Sequence, residues 1–392
     1  MMSIYHDRGG AGKIANILFN SLLEREHEVL FLYGFENGGF QKTHTSNIRG
    51  VSNCSIFTPF LNFLFHKFIG IDIFKSKTRQ LKKNIEWADV IHLHVIHSHG
   101  FNYRQIFSLL IASNKKVVIT NHDSWYYTGR CAIRGECETW KKGCVVCEFK
   151  YQYPSSLLDF AHSEFKTKTD MINKINNLTL VSPSSWIAED LKVVYPNKSV
   201  LQIRNGIETK AFHRKINKLE NSNESTAEKP LKVLFVTTDF REKVKVDLSV
   251  IEYLIEKEID IRLVGKNSPF RGDRVQNFGY VSEKQALIET MFESDVLLFF
   301  SKIDNFPTTV IEACCAGMYV AAYPSKGIAE ILEPIGDRYC YFKTPEDLVH
   351  LLSCPSRVAK IRNKKNRIES SNRAQVFFSK ENMIEDYLNI LL

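Results

Sequence analysis

SDVLLFFSKIDNFPTTVIEACCAGMYVAAYPS, Ser294 to Ser325, contains an apolar run, a turn, a short helical stretch and a second apolar run. SDVLLFFSK and MYVAAYPS read as strands, and DNFPTTVIEACCAG between them reads as the start, body and stop of a helix. Pro307 suits the first turn, Thr308 and Thr309 leave backbone N–H groups available at that end, and Gly317 suits the stop. A strand, a helix and a strand in succession imply parallel strands joined by a crossover. Inside the helix Glu312 stands among Val310, Ile311, Ala313 and Ala316. A buried carboxylate is costly unless it meets a polar partner, so Glu312 calls for either a protein group or a ligand.

The same alternation extends in both directions. KVLFVTTDF, DIRLVGKN and RVQNFGYV precede it, and the first half offers MMSIYH, HEVLFLYG, DVIHLHVI, KKVVITNHD and NLTLVSPSSW, separated by helix-length segments. The polar stretch KINKLENSNESTAEKPLK, residues 215–232, has the composition of a linker or exposed loop. Two doubly wound α/β units joined by a linker would leave a cleft between them, and in such sheets ligands sit at the carboxyl ends of the strands.

A chain of 392 residues exceeds one ordinary core, which supports two domains. Hydrophobic residues at 44% and charged residues at 24% are those of a soluble globular protein. No run of about twenty apolar residues is present to span a membrane. MMSIYHDRGG lacks a basic start followed by an apolar stretch, so no secretion signal is expected and the chain is placed in the cytoplasm. The net charge of +8 is compatible with nucleic acid, an anionic membrane or phosphorylated ligands without choosing among them.

Six stretches could carry chemistry. DRGGAGK, Asp7 to Lys13, is a glycine loop between a strand and a helix, suited to close approach of an anionic group. It has neither P-loop spacing nor a third fingerprint glycine. HLHVIHSH places His92, His94, His97 and His99 at one strand end, and VVITNHD places His122 and Asp123 at another. Cys131, Cys137, Cys144 and Cys147, four of nine cysteines, follow C-x(5)-C-x(6)-C-x(2)-C. That spacing admits structural zinc, or free thiols and a reversible disulfide. TTDFREKVKVD offers Arg241, Lys243 and Lys245 at a strand-to-helix turn, where cations could hold a diphosphate or simply be solvated. Ser55 to Asn84 is aromatic-rich and then basic, which fits either a core-packing helix with a solvated face or a patch for an anionic membrane surface.

Taken in order, GGAG, HLH, HD, SPSSW, RNGIETKAF, LFV with its basic residues, LVGK, FGYVS and DNFPTTVIEACCAG resemble the retaining, nucleotide-sugar-dependent glycosyltransferases of family 4. The likeness runs over almost the whole chain. HDSWYYTGRC with ECETWKKGCVVC is similar to the cysteine-bearing subgroup that builds bacterial capsule, exopolysaccharide and lipopolysaccharide chains.

The resemblance implies a GT-B fold of two Rossmann-like domains facing across a cleft. Residues 1–205 would form the acceptor-side domain, with a Cys-rich insertion at 125–150. Residues 206–371 would bind the nucleotide sugar, and 372–392 would form a helix packing back on the first domain. Glu312 would bind the ribose hydroxyls. Asp304, where the family has glutamate, would hold hydroxyls of the transferred sugar. Asn305, Phe306, Pro307, Thr308 and Thr309 would face the donor. Arg241 with Lys243 or Lys245 would neutralise the leaving diphosphate, although valine replaces the family's glycine at this turn. His122 would contact the donor sugar, Gly10 and Gly12 the diphosphate, and His94 and Gly9 the acceptor side. The expected donor is a UDP- or GDP-sugar, and the expected acceptor a lipid-linked saccharide at the inner face of the cytoplasmic membrane. No cofactor is expected in catalysis, so any zinc would be structural.

An epimerase on the same fold would be expected to offer acid and base carboxylates, and a phosphorylase a lysine-bound pyridoxal phosphate. Neither arrangement is evident. A zinc-stabilised nucleic-acid binder would cluster its basic residues with exposed aromatics, whereas here the lysines are dispersed.

Overall fold

The computed structural model describes residues 1–6, 9–35, 47–50, 65, 68, 78–97, 101–151, 153–221, 230–242 and 246–392. It divides into a first unit of Met1–Arg204 with Ile384–Leu392 and a second of Asn205–Met383.

The first unit is built on seven strands: β1 (Met2–Tyr5), β2 (Phe31–Phe35), β3 (Ile48–Gly50), β4 (Val90–Leu93), β5 (Lys116–Thr120), β6 (Leu178–Ser182) and β7 (Ser199–Gln202). All pair in parallel, in the order β3-β2-β1-β4-β5-β6-β7. The second unit has β8 (Lys232–Asp239), β9 (Asp260–Lys266), β10 (Val275–Gly279), β11 (Val296–Phe299), β12 (Tyr319–Ala322) and β13 (Tyr339–Tyr341). These are also parallel, ordered β10-β9-β8-β11-β12-β13. Each sheet thus reverses its winding direction once, between β1 and β4 and between β8 and β11. Such a reversal leaves a crevice at the carboxyl ends of the two strands.

Parallel strands are covered on both faces, and β11 and β12 are buried at every residue. That is why their sequences read as unbroken apolar runs. The strands the sequence did not announce are β3, β7 and β13, edge strands of three or four residues. Ser199 and Leu201 of β7 are exposed, so it carries no apolar signal. Several helices start on side-chain caps. The Asn102 carboxamide accepts from Gln105 N–H, and Ser184 accepts from Ile187 N–H. Thr344 and Asp347 form a reciprocal capping box ahead of Pro345.

Two expectations need correction. The polar 215–232 stretch is not the linker between the units, which divide between Arg204 and Asn205, one residue from the expected 205/206. Lys215 to Leu219 belong to helix Lys210–Glu220, which buries Ile216 and packs Phe212 in the second unit's core. The closing segment 372–392 is also not one helix. Helix Lys364–Phe377 ends before Ser379, and a new helix runs from Lys380 to Leu391. The earlier helix stays with the second unit because Ser371 Oγ and Gln375 Nε2 donate to the Cys315 carbonyl, and Arg367 Nε donates to that of Ala316. These donors satisfy the C-terminal carbonyls of helix Thr308–Cys315. Only Ile384–Leu392 joins the first unit, where Tyr387 is buried and its hydroxyl lies 2.9 Å from Thr120 Oγ1.

Gly317 stops helix Thr308–Cys315 with φ of +65°, and a Cβ there would come within 2.4 Å of the Arg367 carbonyl oxygen. Gly317→Ala therefore combines a left-handed backbone with a backbone clash. We expect a loss of roughly 2–4 kcal/mol in urea unfolding with the m-value unchanged.

Candidate active site

The turn Asp304–Pro307 follows β11 and feeds helix Thr308–Cys315, with Pro307 as the N-cap. Asp304, Asn305, Pro307, Thr308 and Thr309 are half-buried, and Phe306 and Glu312 are buried. The first N–H groups of this helix have no acceptor within it, so they face the β8/β11 reversal as an electropositive end. Two residues missing from the sequence-based site hold this turn. Asn205 Nδ2 donates to the Phe306 carbonyl at 3.1 Å. Gly327 sits so close that a Cβ would lie 2.0 Å from the Asn305 carbonyl oxygen and 2.4 Å from that of Asp304. Neither contact has a signature in the sequence, because each depends on backbone distant in the chain.

At the end of β8, Arg241 is exposed but not loose. Its guanidinium makes a two-pronged pair with Asp239, Nε to Oδ1 at 3.0 Å and Nη2 to Oδ2 at 2.6 Å, and the Arg241 N–H also donates to Oδ1. These bonds from Arg241 hold the Asp239 carboxyl below the usual range. The sequence left Arg241 either holding a diphosphate or solvated, and here Asp239 orients it. Lys243 and Lys245 lie outside the described residues.

In the first unit, helix Gly9–Glu24 starts at Gly9, whose φ is +65°, and no acidic side chain lies in its first turn. Gly9 and Gly10 are exposed with open space where a Cβ would be, whereas Gly12 is buried. Asp7, Arg8 and His99 lie outside the described residues.

The histidines beyond β4 and β5 form a braced set. His94 Nδ1 lies 2.9 Å from His122 Nε2, and His92 Nε2 lies 2.8 Å from Thr120 Oγ1. His97 Nε2 lies 2.8 Å from Asp123 Oδ2. The Tyr126 hydroxyl donates to the His94 carbonyl, and Trp125 N–H donates to Asp123 Oδ1. His92, His94 and His97 are buried and His122 is half-buried. Burial pushes His92 and His94 well below the ordinary histidine range and His122 down to about 4. Burial would raise the Asp123 carboxyl, but His97 and the Trp125 N–H together outweigh it and keep it low. At neutral pH these three histidines are neutral rings beside a carboxylate. His94 has no exposed surface, so it lies behind His122 rather than lining an acceptor side.

The cysteine segment is a buttress for these strand ends. Trp125, Tyr126, Tyr127 and Trp140 are buried, and Lys168 is held over the Trp125 ring while donating to the Gly129 carbonyl. Arg134 lies over Trp140 and Trp186 and pairs with Asp190 at 2.8 Å. Of the four cysteines whose spacing admits zinc, free thiols or a disulfide, Cys144 lies within electrostatic reach of Cys131, Cys137 and Cys147. Cys147 meets Cys131, Cys144 Sγ accepts from Gly129 N–H, and Cys137 Sγ lies beside Thr139 Oγ1. Among the described residues no three His, Cys, Asp or Glu side chains are placed to hold a metal ion.

Residues 8–211 match the family model described as Glycosyltransferase Family 4, and residues 270–368 match that of Glycosyl transferases group 1. The chain belongs to glycosyltransferase family 4. It is 28% identical to the putative colanic acid biosynthesis glycosyl transferase WcaC of Escherichia coli K12, over 97% of this chain and 96% of that one. Among solved structures, Anabaena HepE in complex with UDP and glucose aligns at a TM-score of 0.63 and 12% identity, covering 100% of this chain and 98% of that one. WaaG, a glycosyltransferase involved in lipopolysaccharide biosynthesis, aligns at 0.58 and 14%, covering 98% and 96%. With two Rossmann-like units, this family 4 glycosyltransferase has the GT-B fold.

Two outcomes follow for this enzyme. Gly327→Ala must displace the Asp304–Asn305 turn, so we expect a loss of roughly 1–3 kcal/mol in urea unfolding with the m-value unchanged. His92, His94 and His122 have lowered pKa values in the folded state, so the unfolded chain binds more protons below pH 6.5. The stability they contribute is complete above that pH and is lost as pH falls from 6.5 towards 4. Urea unfolding should show a loss on the order of 3 kcal/mol between pH 7.5 and 5.5. A flat profile would contradict neutral buried rings.

Proposed function

We propose that this glycosyltransferase moves a sugar from a UDP- or GDP-sugar to a saccharide acceptor, with retention of anomeric configuration, in the synthesis of a bacterial surface polysaccharide. The observation that carries the reading is the placement of Glu312 and the Asp304–Thr309 turn at the β8/β11 reversal, where sheets of this winding bind ligands. The names of WcaC and WaaG support a polysaccharide product, and the UDP and glucose bound by HepE support a nucleotide-sugar donor.

In this reading Glu312 takes the ribose hydroxyls and Asp304 a hydroxyl of the transferred sugar. Breaking the glycosyl–phosphate bond puts negative charge on the leaving diphosphate and positive charge on the sugar. The helix N–H groups at Thr308 and Thr309, with Arg241 oriented by Asp239, would oppose that negative charge where it grows. Lys243 or Lys245 would add a second cation. His122 would donate to the donor sugar, and the donor's own phosphate would take the acceptor proton on the front face. No metal is asked for.

A lipid-linked acceptor at a membrane face completes the proposal. It is supported by exposed Val145, Val146, Tyr151, Leu157 and Leu158, and by Phe68, whose carbonyl accepts from Leu158 N–H. The Ser55–Asn84 patch lies mostly outside the described residues. Its described end, helix Thr78–Trp87, buries Leu81 and Ile85 and exposes Lys82 and Lys83. No described helix is long and apolar enough to cross a membrane.

The deciding measurement is binding of UDP, GDP and ADP to wild type and Glu312→Gln. Hydrogen bonds to a charged group are worth roughly 1.5–3 kcal/mol, so the cognate nucleotide should bind the variant about 10- to 150-fold more weakly. Equal affinity in both proteins would remove Glu312 from the donor site.

A further inference from the structure

We infer that His94 is a positioning residue: it donates its Nδ1–H to His122 Nε2 and so fixes His122 as the tautomer carrying its proton on Nδ1. The inference rests on the preceding reading only in taking His122 as the group that meets the donor sugar.

The geometry defines one proton. The two nitrogens are 2.9 Å apart, the ring planes differ by 17°, and the centroids are 5.2 Å apart. Rings so disposed lie edge to edge in nearly one plane, with the N–H of one directed along the lone pair of the other. Both rings are neutral at neutral pH, so each carries one proton and only one of them occupies the bond.

Which ring supplies it is decided at the far side of His94. His94 Nε2 is buried and has no hydrogen-bond partner among the described residues. If His122 were the donor, the His94 proton would sit on that nitrogen as a buried, orphaned N–H. If His94 is the donor, the same nitrogen is only an unused lone pair. Orphaned buried N–H groups are the rarer of the two in native proteins, so the proton belongs to His94 Nδ1. The same reasoning holds independently next door. His92 Nδ1 is buried without a partner, which makes His92 Nε2 the donor to Thr120 Oγ1. His92 also lies against the His94 ring, with centroids 4.2 Å apart, and the Tyr126 hydroxyl holds the His94 carbonyl. His94 is therefore fixed in place by its neighbours.

With Nε2 engaged as an acceptor and Nδ1 carrying the proton, His122 is a neutral hydrogen-bond donor. It has no lone pair left with which to act as a base. Its partner chemistry is a hydroxyl or ring oxygen of the sugar, held by direction rather than by charge.

The test combines a spectroscopic and a kinetic readout. In protein labelled with 15N-histidine at pH 7.5, His122 should show a protonated Nδ1 and an unprotonated Nε2, assigned by the signals lost in His122→Ala. A protonated Nε2 overturns the inference, and this readout on wild type decides it even if the His94 variants fail to fold.

For kinetics, nucleoside diphosphate release is followed with UDP-glucose, UDP-galactose, UDP-N-acetylglucosamine and GDP-mannose in turn, keeping the fastest donor. In His94→Asn an amide N–H replaces Nδ1–H, and this variant should keep kcat within about threefold, whereas His94→Leu should lose about tenfold or more at nearly constant KM. Equal losses in both variants would mean packing alone and would overturn the positioning role. An inactive His122→Ala beside a fully active His94→Leu overturns this inference only. A fully active His122→Ala instead removes His122 from the donor site and defeats the reading on which the inference rests.

Discussion

A parallel sheet that reverses its winding direction has one place where neighbouring crossovers part and leave strand ends uncovered. In this chain that happens between β1 and β4 and between β8 and β11. Helix Gly9–Glu24, the His92–His97 strand end, Arg241 and the Asp304–Thr309 turn all lie on strands beside a reversal, and His122 lies on the next strand, β5. The side chains are far apart in sequence, yet they share this one topological cause. The buried faces of β11 and β12 supply the rigidity that keeps the ends where the winding puts them.

The two reversals are equipped differently. The one in the second unit presents backbone N–H groups at a helix start and a guanidinium held by Asp239, which suits an anion. The one in the first unit presents imidazoles that burial keeps neutral, braced by Thr120, Asp123 and Tyr126. Neutral rings recognise hydroxyls by direction, while the helix end and cation answer charge.

Much of this was legible in the sequence where a local pattern carries the physics. The apolar runs of β11 and β12, Pro307 and Gly317 around their helix, and histidines closing two strands all report short-range constraints. What escaped reading depends on distant backbone. Gly327 matters because the Asp304 and Asn305 carbonyls pass against it, and Asn205 because it reaches Phe306. Strands β3, β7 and β13 are too short, and β7 too exposed, to leave an apolar signature. The pairing of Arg241 with Asp239 was open to view two residues away, but an arginine at a strand-to-helix turn reads equally well as a phosphate ligand. The spacing of the four cysteines admitted zinc, whereas among the described residues no three metal-holding side chains are placed together.

The helix Lys380–Leu391 gives synthesis of this chain a particular order. Thr120, at the end of β5, finds the hydroxyl of Tyr387 only after 267 further residues have been made. At about 5–20 residues per second, that is a delay of roughly 13–53 seconds, during which the second unit can form but the first lacks its last buried aromatic. The strand end that carries His92 and the strand that leads to His122 thus acquire their final brace at the moment the polypeptide is nearly complete. An unfinished chain would lack this brace, so the first unit, though begun first, is completed last, by residues made after the whole of the second unit.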